Sequence, residues 1–248
     1  QEPISEQGQQ PMVRSDDTER TIHLEDGFLR SFGTGELFPS LSMVVDHDGI
    51  YYDASCVSSL ELLIENGFDG SNANHGNAAE IRLHLIALQL SKYNHADEVA
   101  LHRIGGGRRR VLLVDQTAGD MSVLSGGASE ETFLRMLESA RRENPDAIIY
   151  VKTHPEVTSG RKRGYLSTTQ DDATTVVLRK AMNPVALIKQ MDQVYVVTSQ
   201  MGFEALMVGK PVTCFGMPWY AGWGVTDDRQ SCARRTRKRT VDELFAAP

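Results

Sequence analysis

From residue 111 onward, short apolar runs alternate with amphipathic stretches, and that alternation limits the fold more than any other feature of the chain. Apolar runs at 111–115, 147–153, 174–178, 194–197 and 211–215 have strand length and strand composition. Between them the sequence reads as helix. Ser129 caps a stretch reaching about Asn144, with Phe133, Leu134, Leu137 and Ala140 on one face and Pro145 beyond its end. Further helices are predicted over 184–191 and over 201–208, the latter stopped by Gly209. Strands that are apolar along their whole length, each succeeded by a helix, belong in a parallel sheet covered on both faces. The chain has no internal repeats.

The first 107 residues lack this regularity. Residues 1–19 are polar, carry no basic segment followed by an apolar one, and are expected to be a disordered lead. A short strand over 21–24 should run into Glu25-Asp26-Gly27. Apolar runs at 41–46 and 49–53 flank Asp48-Gly49, a hairpin signal. Ser58 and Glu61 have capping-box spacing and open a helix that should stop at Asn66-Gly67. A second, strongly apolar helix is predicted over 77–93, and Gly105-Gly106-Gly107 before Arg108-Arg109-Arg110 marks a hinge. The division expected is a lead over 1–19, a partial N-terminal lobe over 20–107, and a Rossmann-like domain over 108–248.

A formal net charge of −7 argues against nucleic acid as the main partner. Cys56, Cys214 and Cys232 have no metal-ligand spacing, so they are expected to be reduced, buried thiols, and no metal is expected. No apolar run approaches the ~18 residues of a membrane span.

In a parallel sheet of this kind ligands bind beyond the carboxyl ends of the strands, so the residues just past each strand matter most. The first strand ends in Asp115-Gln116-Thr117-Ala118-Gly119-Asp120, the second in Lys152-Thr153-His154-Pro155, and the fourth in Thr198-Ser199-Gln200-Met201-Gly202. Hydroxyls, amides, an imidazole and an ammonium thus fall on one rim. Thr198-Ser199-Gln200 also opens a helix, whose free N–H groups favour an anion such as a nucleotide phosphate; Ser199 as a plain N-cap is the simpler alternative. His154 is either a phosphate contact stiffened by Pro155 or a satisfied structural histidine. Glu204 points at a ribose diol or at solvent. Adjacent Glu25 and Asp26 at a strand end, with a glycine after them, suit a base or nucleophile facing a sugar, although Asp-Gly is also an ordinary turn. Basic clusters at Arg108–Arg110, Arg161-Lys162-Arg163 and Arg234–Arg239 read as solvated faces that together could hold an acidic glycan or lipid headgroups. Trp219-Tyr220-Ala221-Gly222-Trp223-Gly224 is core filling or a wall beside a sugar. Neither G-x-x-x-x-G-K-[ST] nor a strand-linked G-x-G-x-x-G occurs.

Six ordered motifs carry a family resemblance. They are Glu25-Asp26-Gly27-Phe28-Leu29-Arg30-Ser31, Gly49-Ile50-Tyr51-Tyr52-Asp53, Val114-Asp115-Gln116-Thr117, Val151-Lys152-Thr153-His154-Pro155, the run from Val197 through Glu204 to Leu206, and Trp219-Tyr220-Ala221-Gly222-Trp223-Gly224. Together they resemble the capsule polysaccharide β-Kdo transferases of Gram-negative bacteria, from about Leu24 to the last residue. The resemblance implies an α/β, GT-B-like fold with an incomplete or truncated N-terminal lobe. It implies retaining transfer of Kdo from CMP-Kdo to a lipid-linked Kdo acceptor of lyso-phosphatidylglycerol type, at the cytoplasmic face of the inner membrane, with no metal. The Asp-Gly and His-Pro motifs are also similar to those of bacterial sialyltransferases. By these likenesses Asp26, with Glu25, carries catalysis, while His154, Ser199 and Thr198 hold the CMP phosphate. Pro155, Gln116, Lys152, Gln200 and Glu204 are further expected donor contacts. Retention is compatible with a covalent enzyme adduct or with front-face attack. Two departures are visible. Ala118 stands where relatives usually carry Arg, and the stretch before Glu25 is shorter than theirs. Another CMP-sugar transferase and a non-catalytic nucleotide- or glycan-binding module are the alternative readings.

Overall fold

The computed structural model describes residues 21–33, 38–67, 77–98, 100–101, 107–158 and 160–247. The 1–19 lead and most of the glycine hinge lie outside these residues. All five expected strands form: β3 (Arg110–Val114), β4 (Ile148–Lys152), β5 (Thr175–Leu178), β6 (Gln193–Val196) and β7 (Val212–Cys214), after a separate pair β1 (His23–Asp26) and β2 (Met43–Asp46). A sixth parallel strand, β8 (Asp227–Asp228), is too short and too acidic to read from sequence. The sheet order is β5-β4-β3-β6-β7-β8, every pairing parallel. The chain therefore moves outward from β3 to β5, then returns to the other side of β3 as β6. That reversal leaves a crevice between the ends of β3 and β6, where open α/β sheets take ligands.

The helices are α1 (Ser59–Asn66), α2 (Ala78–Ala87), α3 (Met121–Ser125), α4 (Glu130–Glu143), α5 (Pro155–Thr158), α6 (Pro184–Lys189), α7 (Met201–Met207) and α8 (Val241–Phe245). Alternate residues of β3 divide the core. Val111 and Leu113 face α4 through Phe133, Met136 and Ala140, whereas Leu112 and Val114 face α6 and α7 through Leu187, Ile188, Phe203 and Leu206. Leu60 and Ile64 of α1 bury in this second cluster, with Phe28, Tyr51, Leu85 and Ile86 packed against it. The N-terminal segments thus rest on the same core as the sheet.

Several expectations need correction. Residues 49–53 do not pair with 41–46. Instead β2 pairs antiparallel with β1. The buried Asp46 carboxylate accepts from the N–H groups of Asp48, Gly49 and Ser59, turning the chain directly toward α1. The second helix ends at Ala87, earlier than expected, because Gln89 takes φ +55° and Leu90 N–H bonds back to Leu85. It is also less buried than its composition suggests: Ile81, Leu83 and Leu88 are exposed. Ser58 caps α1 as expected, accepting from Glu61 N–H. Glu61 itself turns away to bond Arg234 at 2.5 Å and Arg235 at 3.0 Å. The Arg234–Arg239 cluster is therefore a solvated face only in part: Arg237 and Lys238 are exposed, and the other three arginines are drawn into the fold. Arg235 is buried and also donates to Pro218 O and Ala221 O, and Arg239 holds the last carbonyls of α1. Of the three free cysteines only Cys214 is buried, and Cys56 is exposed. No helix among the described residues is long and apolar enough to cross a membrane.

Candidate functional site

A cleft of about 550 Å³ opens at the β3/β6 crevice, within the size range of small-ligand sites. Its floor is the polar ends of β3, β4 and β6: Asp115, Gln116 and Thr117; Lys152, Thr153 and His154; Thr198, Ser199 and Gln200. Residues 91–93, His95, Ala96, Tyr51, Tyr52, Glu25, Pro218 and Trp219 also line the cleft.

The strand ends are tied together before any ligand arrives. Gln116 Oε1 accepts from Thr198 N–H at 3.0 Å, and its Nε2 donates to Thr198 Oγ1 at 3.0 Å. This side-chain amide joins β3 to β6 where no backbone ladder continues, so Gln116 positions the crevice floor. Gln200 is likewise engaged, accepting from Trp219 Nε1 at 3.1 Å. Ser199 Oγ accepts from Met201 N–H, its carbonyl from Gly202 N–H and from Tyr220 OH at 2.5 Å. Two of the N–H groups expected to be free for an anion are thus internally bonded. Gly202 is needed here, since a Cβ would lie 2.1 Å from Tyr220 OH.

The β4 end is less satisfied. His154 Nδ1 accepts from Glu156 N–H at 3.2 Å, which leaves the ring proton of the neutral imidazole on Nε2. Burial, outweighing the attraction of Glu156, lowers the imidazole's affinity for a second proton. The 3.9 Å approach of Glu156 to Nδ1 is accordingly no ion pair at neutral pH. Lys152 is buried, and its ammonium donates to Thr153 O at 2.8 Å. Burial lowers its pKa to about 8. The backbone of Pro155 opens α5, while its side chain lies outside the described part.

Three acidic groups behave differently. Asp115 uses one carboxylate oxygen to hold Gln116 N–H and Leu166 N–H, and the other is buried without a partner, so desolvation raises its pKa to about 6. Glu204 does not face solvent. It is buried against residues 91–92, accepting from Lys92 N–H, with Oε2 unpartnered and its pKa raised by burial to about 7. Glu25 lines the cleft, whereas Asp26 does not and is ion-paired with Arg30. The structure therefore brings together Glu25, Gln116, Lys152, His154, Thr198, Ser199, Gln200 and Glu204 and sets Asp26 one position back. Burial raises the phenol pKa of Tyr51, Tyr52 and Tyr93, so the aromatic side of the cleft is neutral. Trp219 combines both readings of its motif: it is buried against Phe28 and Phe203 and also walls the cleft. Tyr220 and Trp223 are core. Sequence reasoning missed Lys162, which lines the cleft and pairs with Glu156 at 3.2 Å, because Arg161 and Arg163 beside it made the run look like a surface patch. It also missed Ser91 and His95, which carry no motif signal.

The family model described as "Capsule polysaccharide biosynthesis protein" matches residues 72–248. The chain belongs to that family. Among curated relatives, it is 45% identical over 236 residues to the capsule polysaccharide modification protein LipA of Neisseria meningitidis serogroup B, covering 91% of this chain and 34% of LipA. It is 42% identical to the lipopolysaccharide-processing protein LpsZ of Rhizobium meliloti, covering 90% of this chain and 52% of LpsZ. The chain thus spans about a third of LipA and about half of LpsZ. Among solved structures, it is similar to Thermosulfurimonas dismutans KpsC, beta Kdo 2,4 transferase. That match has TM-score 0.88 and 50% identity, over 92% of this chain and 71% of that one. KpsC, beta Kdo 2,7 transferase, of the same organism matches with TM-score 0.72 and 33% identity, over 95% and 71%. The α/β architecture and the family resemblance read from the sequence both hold.

Proposed function

We propose that this capsule polysaccharide biosynthesis family member is the nucleotide-binding part of a glycosyltransferase that moves Kdo from CMP-Kdo to a lipid-linked Kdo acceptor. The observation that carries the reading is one cleft, at the sheet's reversal point, lined by buried Lys152 at the end of β4, half-buried His154 just past it and the Glu25 carboxylate of β1. Likeness to solved β-Kdo transferases supports the sugar. In the reaction the bond from the anomeric carbon to phosphate oxygen breaks, and CMP leaves with the electron pair. The acceptor hydroxyl forms the new bond and gives its proton to a carboxylate. His154 Nε2–H and Lys152 would meet the leaving phosphate, with Thr198 and Ser199 beside it. No metal is needed for a single phosphate held this way.

Glu25 and Asp26 are the proposed catalytic carboxylates. Glu25 sits in the cleft wall, and Asp26 is held by Arg30. Work at the inner-membrane surface is part of the same proposal. The test is turnover: purified chain, CMP-Kdo and a synthetic Kdo-lipid acceptor, with product mass as readout. Product is expected from the wild type, none from Asp26→Asn or Glu25→Gln, with CMP binding retained in both variants. Full turnover in both variants would remove the pair from the chemistry. CMP binding with no turnover in the wild type would leave a binding module.

A further inference from the structure

We propose that Lys152 sets the charge of the cleft: its ammonium, enclosed at the end of β4 with one backbone carbonyl as partner, seats an oxyanion of the ligand and becomes fully protonated as that ligand binds. The proposal rests on the nucleotide-sugar reading for the identity of the ligand, and not for the existence of the site.

The geometry is unusual for a buried cation. Lys152 is 5% exposed and lines the cleft. An ammonium has three donors, and among the described residues only the bond to Thr153 O is made. No carboxylate among the described residues lies within ion-pair distance of it. Arg235, the other buried cation among the described residues, shows the usual solution, with Glu61 and two carbonyls around it. The acidic groups on the same cleft each hold another partner and none pairs with Lys152, although one oxygen of Asp115 and one of Glu204 have no hydrogen-bond partner among the described residues. Asp115 holds two backbone N–H groups, Asp120 holds Ser122, Glu156 pairs with Lys162, Glu204 holds Lys92 N–H, and Glu25 holds Asp26 N–H. The other groups facing the cavity are His154, Lys162, Lys92, His95 and the three phenols, none of which can compensate a cation.

A dry ammonium without a counter-ion gives up its proton more readily, and burial lowers the pKa of this one to about 8. An anion seated on it reverses that pull. Two anionic groups share the necessary chemistry: the phosphate of a nucleoside monophosphate and the carboxylate of a sugar acid. Above about pH 8 either must bring a proton from solvent, and affinity should fall by about tenfold per pH unit until the bound-state pKa is reached.

Calorimetric titration of the whole chain near pH 8.5, in two buffers of different ionisation enthalpy, reads this directly. The ligands are CMP, cytidine, free Kdo and inorganic phosphate. Expected for CMP is uptake of roughly half a proton or more, falling toward zero near pH 7 where the free lysine is already charged. His154, protonating only at lower pH, is silent over this range. Lys152→Met should bind CMP at least about tenfold more weakly at pH 7, with no uptake at pH 8.5. Lys152→Arg should restore affinity with no uptake, since a guanidinium stays charged. Uptake with free Kdo and not with CMP assigns the carboxylate as the anion and still supports the proposal. Failure of CMP to bind, with uptake on binding free Kdo or inorganic phosphate, sinks the nucleotide reading and leaves Lys152 standing. Identical heats in both buffers for every ligand that binds overturn the proposal, whether or not the methionine variant folds.

Discussion

Removing the Arg235 side chain should destabilise the protein and disturb the cleft together. Its guanidinium bonds Glu61 at 3.0 Å, Pro218 O at 2.6 Å and Ala221 O at 2.8 Å, and lies 5.7 Å from the centre of the Trp223 ring. Arg235→Met keeps much of the buried stem and loses every polar contact. Ala221 O loses its side-chain partner, at about 1–3 kcal/mol when it stays dry, whereas Pro218 O keeps the Ala221 N–H at 3.0 Å and loses about 0.5–1.5 kcal/mol. Glu61 loses one of two cations, but Arg234 remains at 2.5 Å, so the full ~3–5 kcal/mol of a broken buried pair does not apply. Methionine packing returns about 1 kcal/mol. The net loss should be about 3 kcal/mol, or a fall in Tm of roughly 6–12 °C for a chain of this length. Urea unfolding followed by tryptophan fluorescence suits the question, because both tryptophans, Trp219 and Trp223, lie in the loop that Arg235 holds. Pro218 and Trp219 line the cleft, so ligand affinity should fall in the same variant. With Glu61→Gln in both backgrounds, the pair should couple by about 0.5–3 kcal/mol. A loss below about 1 kcal/mol, or simple additivity with Glu61→Gln, would refute the clamp.

Three further outcomes are expected. His154→Ala removes one hydrogen bond to a charged group, about 1.5–3 kcal/mol, so CMP affinity should drop roughly ten- to a hundredfold; unchanged affinity in calorimetry would take His154 out of the site. Gly202→Ala forces a methyl against Tyr220 OH and should cost about 1–3 kcal/mol, with partial recovery in the Gly202→Ala, Tyr220→Phe double variant; equal unfolding midpoints for both would show that the contact is not what matters. Asp115 keeps its proton up to about pH 6 in the folded chain and only to its ordinary 3.8 when unfolded, so its contribution to stability falls as pH rises between those values. Asp115→Asn should therefore be more stable than wild type above pH 6 and lose that advantage near pH 4; denaturation curves at both values, with the gain larger at the acidic end, would contradict the burial argument.

Features legible in the sequence and features that were not separate along physical lines. The five parallel strands were legible because each is a short, largely apolar run, such as Val-Leu-Leu-Val in β3 and Ile-Ile-Tyr-Val in β4, and α4 because its cap, its inner face and Pro145 agree. The strand ends of β3, β4 and β6 were legible as a rim because the sheet's reversal, not any side chain, brings them together. Legibility stopped where a side chain chose a distant partner over a near one. Glu61 has the spacing of a capping box and goes instead to Arg234 and Arg235, more than 170 residues away along the chain, turning the start of an apparently solvated cluster into a clamp. Asp46 takes three backbone N–H groups and so replaces a hairpin that its neighbours favour. Thr240 and Glu243, by contrast, do close a capping box, and α8 went unread only because the helix is five residues long. The same distinction bears on the site. Gln116 and Gln200 looked like ligand contacts because they are polar and on the rim, yet each is committed to another part of the cleft wall. Lys152 sits on that rim with donors left over. Polar residues whose bonds are complete shape a binding site, and those whose bonds are incomplete define its ligand. That difference is a property of coordinates and not of residue type.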